Sequence, residues 1–187
     1  MLENVIASLL LSSARIESEA APAREPHPSS YVEKGACPFE CCTYRNWSVT
    51  KQTRLYVEPD THSRKIGVLK AGESVEAITG EVHSTPVRFT VTQDHDPYKV
   101  GDVLWVYTYS GEGAFGVWRN GTLEGEDLEF SPYGGTNGKR CEVPGRGCWG
   151  TLERELNFVW WVKVKAKGDA QGWSNQPEHF GNKDACG

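Results

Sequence analysis

The chain has 187 residues, of which 38% are hydrophobic and 24% are charged. This balance excludes an intrinsically disordered chain and is typical of one globular domain or of two small ones. The formal net charge is −5 and no basic patch is visible, so we exclude general nucleic-acid binding. No apolar run approaches the roughly 18 residues of a membrane-spanning helix, and the sequence therefore predicts no membrane span.

The N-terminal part of the chain has features of an export signal followed by a linker. A short apolar run at residues 5–11 precedes small residues that suit cleavage. The segment before the run carries Glu3 and no Lys or Arg, so an apolar N-terminal helix is the alternative. We interpret residues 1–21 as a signal peptide. We interpret residues 22–36, which are rich in Pro, Ser and charge, as a flexible linker before a folded region over residues 37–187.

Short strands and turns dominate the folded region. The chain contains 20 Gly and 10 Pro, and 11% of its residues are aromatic, which favours turn-rich β structure. Turn signals separate short apolar runs at regular spacing, and this predicts a small barrel or sandwich. The predicted strands lie, in chain order, at residues 47–57, 66–69, 75–78 with an end at Gly80, 87–91, 103–109, 117–118 before an Asn120-Gly121 turn, and 158–165. One short helix is predicted, at residues 151–157.

An ordered set of motifs resembles a bacterial SH3-like (SH3b) domain. The motifs are LYVEP at residues 55–59, IGVL at 66–69, KAGESVEA at 70–77, WVKV at 161–164 and Gly172-Trp173. The resemblance implies a small SH3-like barrel that binds cell-wall peptide or glycan, or that serves as a targeting module beside a hydrolase. The fold alone does not fix the ligand.

A long stretch of sequence separates the two halves of this pattern. Residues at about 83–157 form either an elaborated loop system or a second SH3-like module. A faint internal repeat, residues 70–77 against 99–106, favours the second interpretation. We therefore expect an all-β protein with one or two small SH3-like barrels, intertwined or nested, and one short helix.

The cysteines favour an oxidising compartment. They are Cys37, Cys41, Cys42, Cys141, Cys148 and Cys186. Six cysteines allow up to three disulfides in fifteen pairings, so the connectivity stays open. The N-terminal cluster lacks the paired knuckles of a zinc site, and we expect disulfides and no metal. Cys141 and Cys148 bracket a Gly-rich loop and are expected to staple a hairpin, whereas Cys186 can join the C-terminus to the N-terminal cluster.

Aromatic side chains are the strongest candidates for a binding surface. Exposed rings stack on sugars or hold extended peptides, whereas buried rings fill the interior of small barrels. Trp160 and Trp161 are adjacent on one predicted strand, so their rings point to opposite faces. The candidate ligand-binding residues are Tyr56, Trp105, Tyr107, Trp118, Trp161 and Trp173.

The sequence offers no established catalytic or cofactor motif. It lacks phosphate-binding, HExxH and GxSxG patterns, and oxidised cysteines leave no Cys-His pair. We interpret residues 94–97 as a solvated turn and the acidic run at 124–129 as a solvated loop rather than a calcium site. A hydrolase would need His83 or His95 beside a carboxylate in a cleft.

These observations lead to three functional hypotheses. The first is an exported, non-enzymatic module that binds a cell-wall glycan or peptide through an aromatic groove, without a cofactor. The second is an assembly protein whose β edges pack against copies of itself or a protein partner, with residues 22–35 as an added strand. The third is a small hydrolase with an unrecognised site. The sequence leaves the oligomeric state open.

Overall fold

The computed structural model describes residues 26–111, 114–119, 121–128 and 149–186. Within these ranges the protein consists of β-strands and a single 3-10 turn at Pro177–His179, which confirms the predicted all-β fold. The strands are β1 (Tyr31–Lys34), β2 (Asn46–Val49), β3 (Thr53–Tyr56), β4 (Lys65–Leu69), β5 (Ser74–Thr85), β6 (Val87–Val91), β7 (Val103–Gly111), β8 (Ala114–Arg119), β9 (Thr122–Asp127), β10 (Gly150–Leu152), β11 (Asn157–Lys165), β12 (Gln171–Ser174) and β13 (Phe180–Gly181).

The first sheet is organised by β5, a strand of 12 residues. β11 pairs with it along nearly its whole length, from Asn157 opposite Thr85 to Lys165 opposite Glu76. Two strands share the other edge of β5, because β2 pairs with its first half and β1 with its second half. The order β13-β2-β5-β11-β12-β3-β4, with β1 beside β5, forms a sheet that curls into a half-barrel.

The second sheet is inserted in the chain between β5 and β11. Its strands are antiparallel and follow the order β10-β6-β7-β8-β9, from Val87 to Leu152 in the chain. This sheet lies within the stretch of about 83–157 for which the sequence left a loop system or a second module open. The two sheets are compatible with SH3-like barrels. No helix in the described ranges is long and apolar enough to cross a membrane.

Each sheet buries an apolar core of its own. The alternation of Val87, Phe89 and Val91 predicts one buried face of β6, and these side chains are at most 1% exposed. The first core includes Trp47, Val49, Leu55, Leu69, Val75, Ala77, Val82, Trp160, Val162, Val164 and Phe180. The second core includes Phe89, Val91, Tyr98, Leu104, Val106, Phe115, Val117, Leu128 and Trp149. The two clusters share no residue, so each sheet is stabilised by its own apolar contacts.

The predicted helix at residues 151–157 is wrong. Leu152 lies in β10 opposite Phe89, and Asn157 already begins β11. A segment of barely two turns gains little from helix propensity. Pairing with β6 and β5 satisfies its backbone instead, and this tertiary contribution outweighs the local preference.

The prediction that Gly80 ends its strand is also wrong, because β5 continues to Thr85. A Cβ atom at position 80 would collide with the Tyr44 hydroxyl, Trp160 Nε1 and the Ala36 carbonyl oxygen. Glycine is therefore required by the close approach of these groups to the strand, and not by a turn.

Replacing Gly80 by alanine should destabilise the protein by about 1–3 kcal/mol, the usual cost of overpacking a tight site. Gly67→Ala in β4 is the matched control, because a Cβ atom there meets nothing within 4 Å. Urea titrations followed by tryptophan fluorescence give both free energies of unfolding. Equal losses for the two variants would contradict the packing described at Gly80.

Two disulfides, which meet at the adjacent residues Cys41 and Cys42, occur in the described ranges. Cys37 is bonded to Cys42, and Cys41 is bonded to Cys186, which is 145 positions further along the chain. The second bond is one of the links between the N-terminal cluster and the C-terminus that the sequence allowed. A hydrogen bond from the Ala185 N–H to the Cys41 carbonyl, at 2.8 Å, reinforces it.

Removing the long-range disulfide with Cys41→Ser and Cys186→Ser together should lower the free energy of unfolding by about 2–4 kcal/mol, since the bond closes a long loop in the unfolded chain. The double variant Cys37→Ser and Cys42→Ser should lose less, because only 5 positions separate those residues. Urea titrations of both double variants check the order. A larger loss from the short-range pair would show that loop closure does not determine the difference.

Some predictions concern residues outside the described ranges. They are the signal peptide over residues 1–21, the start of the linker, and the hairpin disulfide between Cys141 and Cys148. The predicted Asn120-Gly121 turn is described in part: Gly121 lies between β8 and β9 with a φ of 78°, the left-handed conformation that tight hairpin turns use.

Candidate functional site

The six candidate ligand-binding residues separate into two clusters. Tyr56, Trp161 and Trp173 form the first, the buried aromatic triad, on the first sheet. Tyr56 lies opposite Trp173, and its ring meets Trp161 edge to face at 5.9 Å. Each of the three residues is at most 8% exposed, so the triad packs inside the protein and presents no open groove. Trp160 belongs to the first core instead, as expected for a neighbour that points the other way.

A histidine and a carboxylate lie beside this triad. His83 Nε2 is 2.9 Å from Glu81 Oε2, and the His83 ring lies 6.4 Å from that of Trp161. His83 also lines a cleft of about 270 Å³, so it has the carboxylate partner that a hydrolase would need. Within the described ranges, the hydrogen-bond partner of the His83 ring is Glu81, and no hydroxyl or thiol is hydrogen-bonded to it. His95 instead stacks on Trp149, with ring centres 4.3 Å apart.

Trp105, Tyr107 and Trp118 form the second cluster, the aromatic face, on the second sheet. Trp105 in β7 lies directly opposite Trp118 in β8, and the rings of Tyr107 and Trp118 are 6.4 Å apart. Their strand neighbour Val106 points the other way, into the second core. Tyr107 is two positions after Trp105, so the alternation of the strand places both rings on the same face. A register shift between Val106 and Thr108 leaves Tyr107 without an opposite residue in β8.

Residues 26–31 of the same chain, the N-terminal arm, lie on the aromatic face. The imidazole of His27 stacks on Trp105, with ring centres 3.9 Å apart and planes inclined by 25°. The ring of Tyr31 meets that of Tyr107 edge to face at 5.9 Å. Tyr31 also begins β1, which pairs with β5. The arm therefore contacts both sheets.

Hydrogen bonds from the aromatic face reach the backbone of the arm. The indole N–H of Trp118 donates to the carbonyl oxygen of Pro26 at 3.1 Å. The hydroxyl of Tyr107 donates to the carbonyl oxygen of Pro28. Nδ1 of His27 lies 3.2 Å from the Tyr107 hydroxyl oxygen. A proline has no N–H and offers only its carbonyl, so the donors of the face match what the arm provides.

Residues 26–34 of the predicted flexible linker are therefore packed against the two sheets. The prediction of a flexible linker is wrong for these residues. His27 and Tyr31 supply rings that pack on the aromatic face, and Tyr31–Lys34 pair with residues 81–84 of β5. A segment rich in Pro and Ser can dock when a few ring-bearing residues meet aromatic partners. The edge of β5 that an assembly protein could offer to another copy is filled here within one chain.

Polar groups at the end of β8 form a network around Tyr98 of the second core. Arg119 lies 3.2 Å from Glu124 and 3.8 Å from Glu126. Its guanidinium also donates to the Tyr98 hydroxyl at 2.8 Å, and Tyr98 donates to Glu126 at 2.6 Å. Burial, helped by the bond to Glu126, raises the pKa of Tyr98 to about 12. The described glutamates of the acidic run at 124–129 are thus partners of Arg119.

One group of potential metal ligands occurs in the described part of the chain. The ligand atoms of Cys41, Asp184 and Cys186 lie within 4.8 Å of one another. Both sulfur atoms are joined in the long-range disulfide, so neither is a free thiolate that could bind a metal. The closeness of these atoms is explained by the disulfide.

The sequence analysis gave Pro26, His27 and Pro28 no role of their own beyond membership of the linker, or of an added strand in an assembly protein. Proline-rich segments are typical ligands of aromatic-lined grooves, and this signal could have connected the arm with the predicted rings. A second surface was also missed: Phe39, which is 38% exposed, lines a groove of about 510 Å³ with Val159 and Pro177 on the first sheet.

Comparison with protein-family models, with curated proteins and with solved structures finds no match. The resemblance to an SH3b domain therefore stays a prediction that rests on its motifs. Any functional proposal has to come from the geometry of the described residues.

The Tyr107 hydroxyl gives a prediction for alkaline pH. Burial raises the pKa of Tyr107 from 10.0 to about 12. The folded protein holds this proton more tightly than the unfolded chain, so the stability it contributes is complete below pH 10 and is lost as the pH rises towards 12. Urea titrations give the free energies of unfolding of the wild type and of Tyr107→Phe. The difference between the two should fall as the pH rises from 10 towards 12. A difference that does not change with pH would contradict the assigned role of the hydroxyl.

Proposed function

We propose that the protein is a non-enzymatic module that binds an extended peptide on the aromatic face. The observation that carries this proposal is the N-terminal arm, which occupies the face as a ligand would. Its His27 ring is stacked on Trp105, and two of its carbonyls accept hydrogen bonds from Trp118 and Tyr107. Aromatic grooves that recognise proline-containing peptides combine ring packing with contacts of this kind.

A peptide suits the face better than a sugar. Trp105 would stack on either kind of ring, so stacking does not separate the two ligands. The donors of Trp118 and Tyr107 meet the carbonyls of Pro26 and Pro28, which are two residues apart in the chain. Such a pair of carbonyl acceptors is a regular feature of a polypeptide backbone, and the segment that occupies the face is itself a polypeptide. Of the predicted ligands, cell-wall glycan or peptide, we therefore favour the peptide.

We further propose that the module works in an oxidising, extracellular compartment. The described part of the chain contains two disulfides, and such bonds persist outside the reducing cytosol. The export signal predicted over residues 1–21 agrees with this location. The SH3b resemblance adds the cell wall as the expected surroundings, so its peptides are the first ligands to test.

Co-sedimentation with purified peptidoglycan sacculi tests the proposal. The wild type should pellet saturably, and Trp105→Ala should lose about tenfold or more in affinity, as aromatic anchors of binding sites do. Phe39→Ala is the matched control, because it removes a partly exposed ring from the first sheet and should bind like the wild type.

Sacculi from which an amidase has removed the peptides separate the two predicted ligands. Loss of pelleting on the stripped sacculi would support a peptide ligand, and unchanged pelleting would show that the glycan is bound instead. Binding that survives Trp105→Ala but is lost in Phe39→Ala would place the ligand in the groove beside Phe39. No pelleting of the wild type would exclude the wall as the partner.

A further inference from the structure

We propose that the N-terminal arm is an internal ligand that keeps the aromatic face closed, and that the partner is an extended peptide with a Pro–ring–Pro pattern. This inference rests on the proposed function and adds to it the class of ligand and a form of regulation. The face and the arm are distant in sequence: Trp118 is 92 positions from Pro26, and Tyr107 is 79 positions from Pro28. The contact is therefore one between two surfaces and not a local turn.

The three positions of the pattern contact the three side chains of the face, and the middle ring also lies 3.2 Å from the Tyr107 hydroxyl oxygen. The carbonyl of the first proline accepts from Trp118, the middle ring stacks on Trp105, and the carbonyl of the second proline accepts from Tyr107. None of these contacts uses a backbone N–H of the tripeptide, so proline is accepted at both outer positions. Proline also restricts the unbound peptide, which reduces the entropy lost on binding.

Opening the face requires only a short segment to move. Ser29 and Ser30 are exposed and belong to no strand, whereas Tyr31–Lys34 can stay paired with β5. Because the arm is tethered beside the face, its effective concentration is on the order of millimolar. A free peptide should therefore bind with an apparent affinity that is reduced by the fraction of molecules whose face is closed.

Substitutions on the two sides of the stack between His27 and Trp105 should then change the apparent affinity for a free peptide in opposite directions. His27→Ala weakens the arm and should raise the apparent affinity for a free peptide about 2- to 10-fold, the range expected for loss of one stacked ring pair. Trp105→Ala, added to His27→Ala, then removes a stack that only the free peptide can make, and it should lower that affinity. A contact that only stabilised the fold would not produce this difference in sign.

The experiment uses the full chain and a synthetic peptide with the sequence of residues 24–30, REPHPSS. Binding is followed through the indole N–H signals in NMR titrations. Ser29→Ala is the matched control on the arm, because Ser29 is exposed, and it should leave the affinity unchanged. Trp118→Phe keeps a ring and removes the donor. Added to His27→Ala, in which the arm is weakened, it should lower the affinity even if Trp105→Ala disturbs the sheet.

Three outcomes would overturn parts of the proposal separately. An affinity of His27→Ala equal to or below that of the wild type would show that the arm is not an internal ligand. Equal binding of peptides that carry alanine in place of the histidine or of both prolines would show that the ligand class is wrong, while peptide binding itself stands. If no variant, His27→Ala included, responds to millimolar peptide, the proposed function fails as well.

Discussion

The rest of the structure depends on β5 pairing with three strands at once. β11 occupies one edge over nearly its full length, and the other edge is divided between β2 and β1. The strand can be this long because Gly80 leaves room for Tyr44 and Trp160 at the one point where its neighbours approach too closely. Since Asn157 lies opposite Thr85, the chain that leaves β5 returns to the same place. A second sheet can therefore be inserted there while the pairing of the first is kept.

The fold was predictable from the sequence where an alternating pattern is long enough to determine both the strand and its buried face. This holds for Val87–Val91 and for the strand at residues 158–165. It fails where a distant partner outweighs a local preference. Residues 151–157 carry helix-forming side chains, yet pairing with two different strands takes up both of their ends. Local sequence predicts a strand end at Gly80, because the groups that require a glycine at this position belong to other elements of the structure.

The candidate site was predictable in its residue types and not in its grouping. Trp105 and Trp161 both lie in β-prone runs, yet Trp161 is buried in the triad and Trp105 lies on the aromatic face. This difference in burial depends on which part of the chain covers each strand. The local sequence around each tryptophan does not contain that information. The register shift at Tyr107 also breaks the alternation beyond that residue, so Tyr109 packs against the second core. The composition of the arm predicts a linker, because composition shows only that a segment is polar. It does not show whether another part of the chain offers a surface that matches the segment.

The aromatic face has a property that links its structure to the choice of partner. Tyr107 is fully buried with the arm in place, and a buried hydroxyl needs an acceptor, which Pro28 supplies. When the arm leaves, water can accept this hydrogen bond but cannot replace the contact between His27 and the apolar surface of Trp105. An extended peptide restores both. Since every peptide backbone offers carbonyls, the ring at the middle position decides whether a free peptide can compete with the tethered arm.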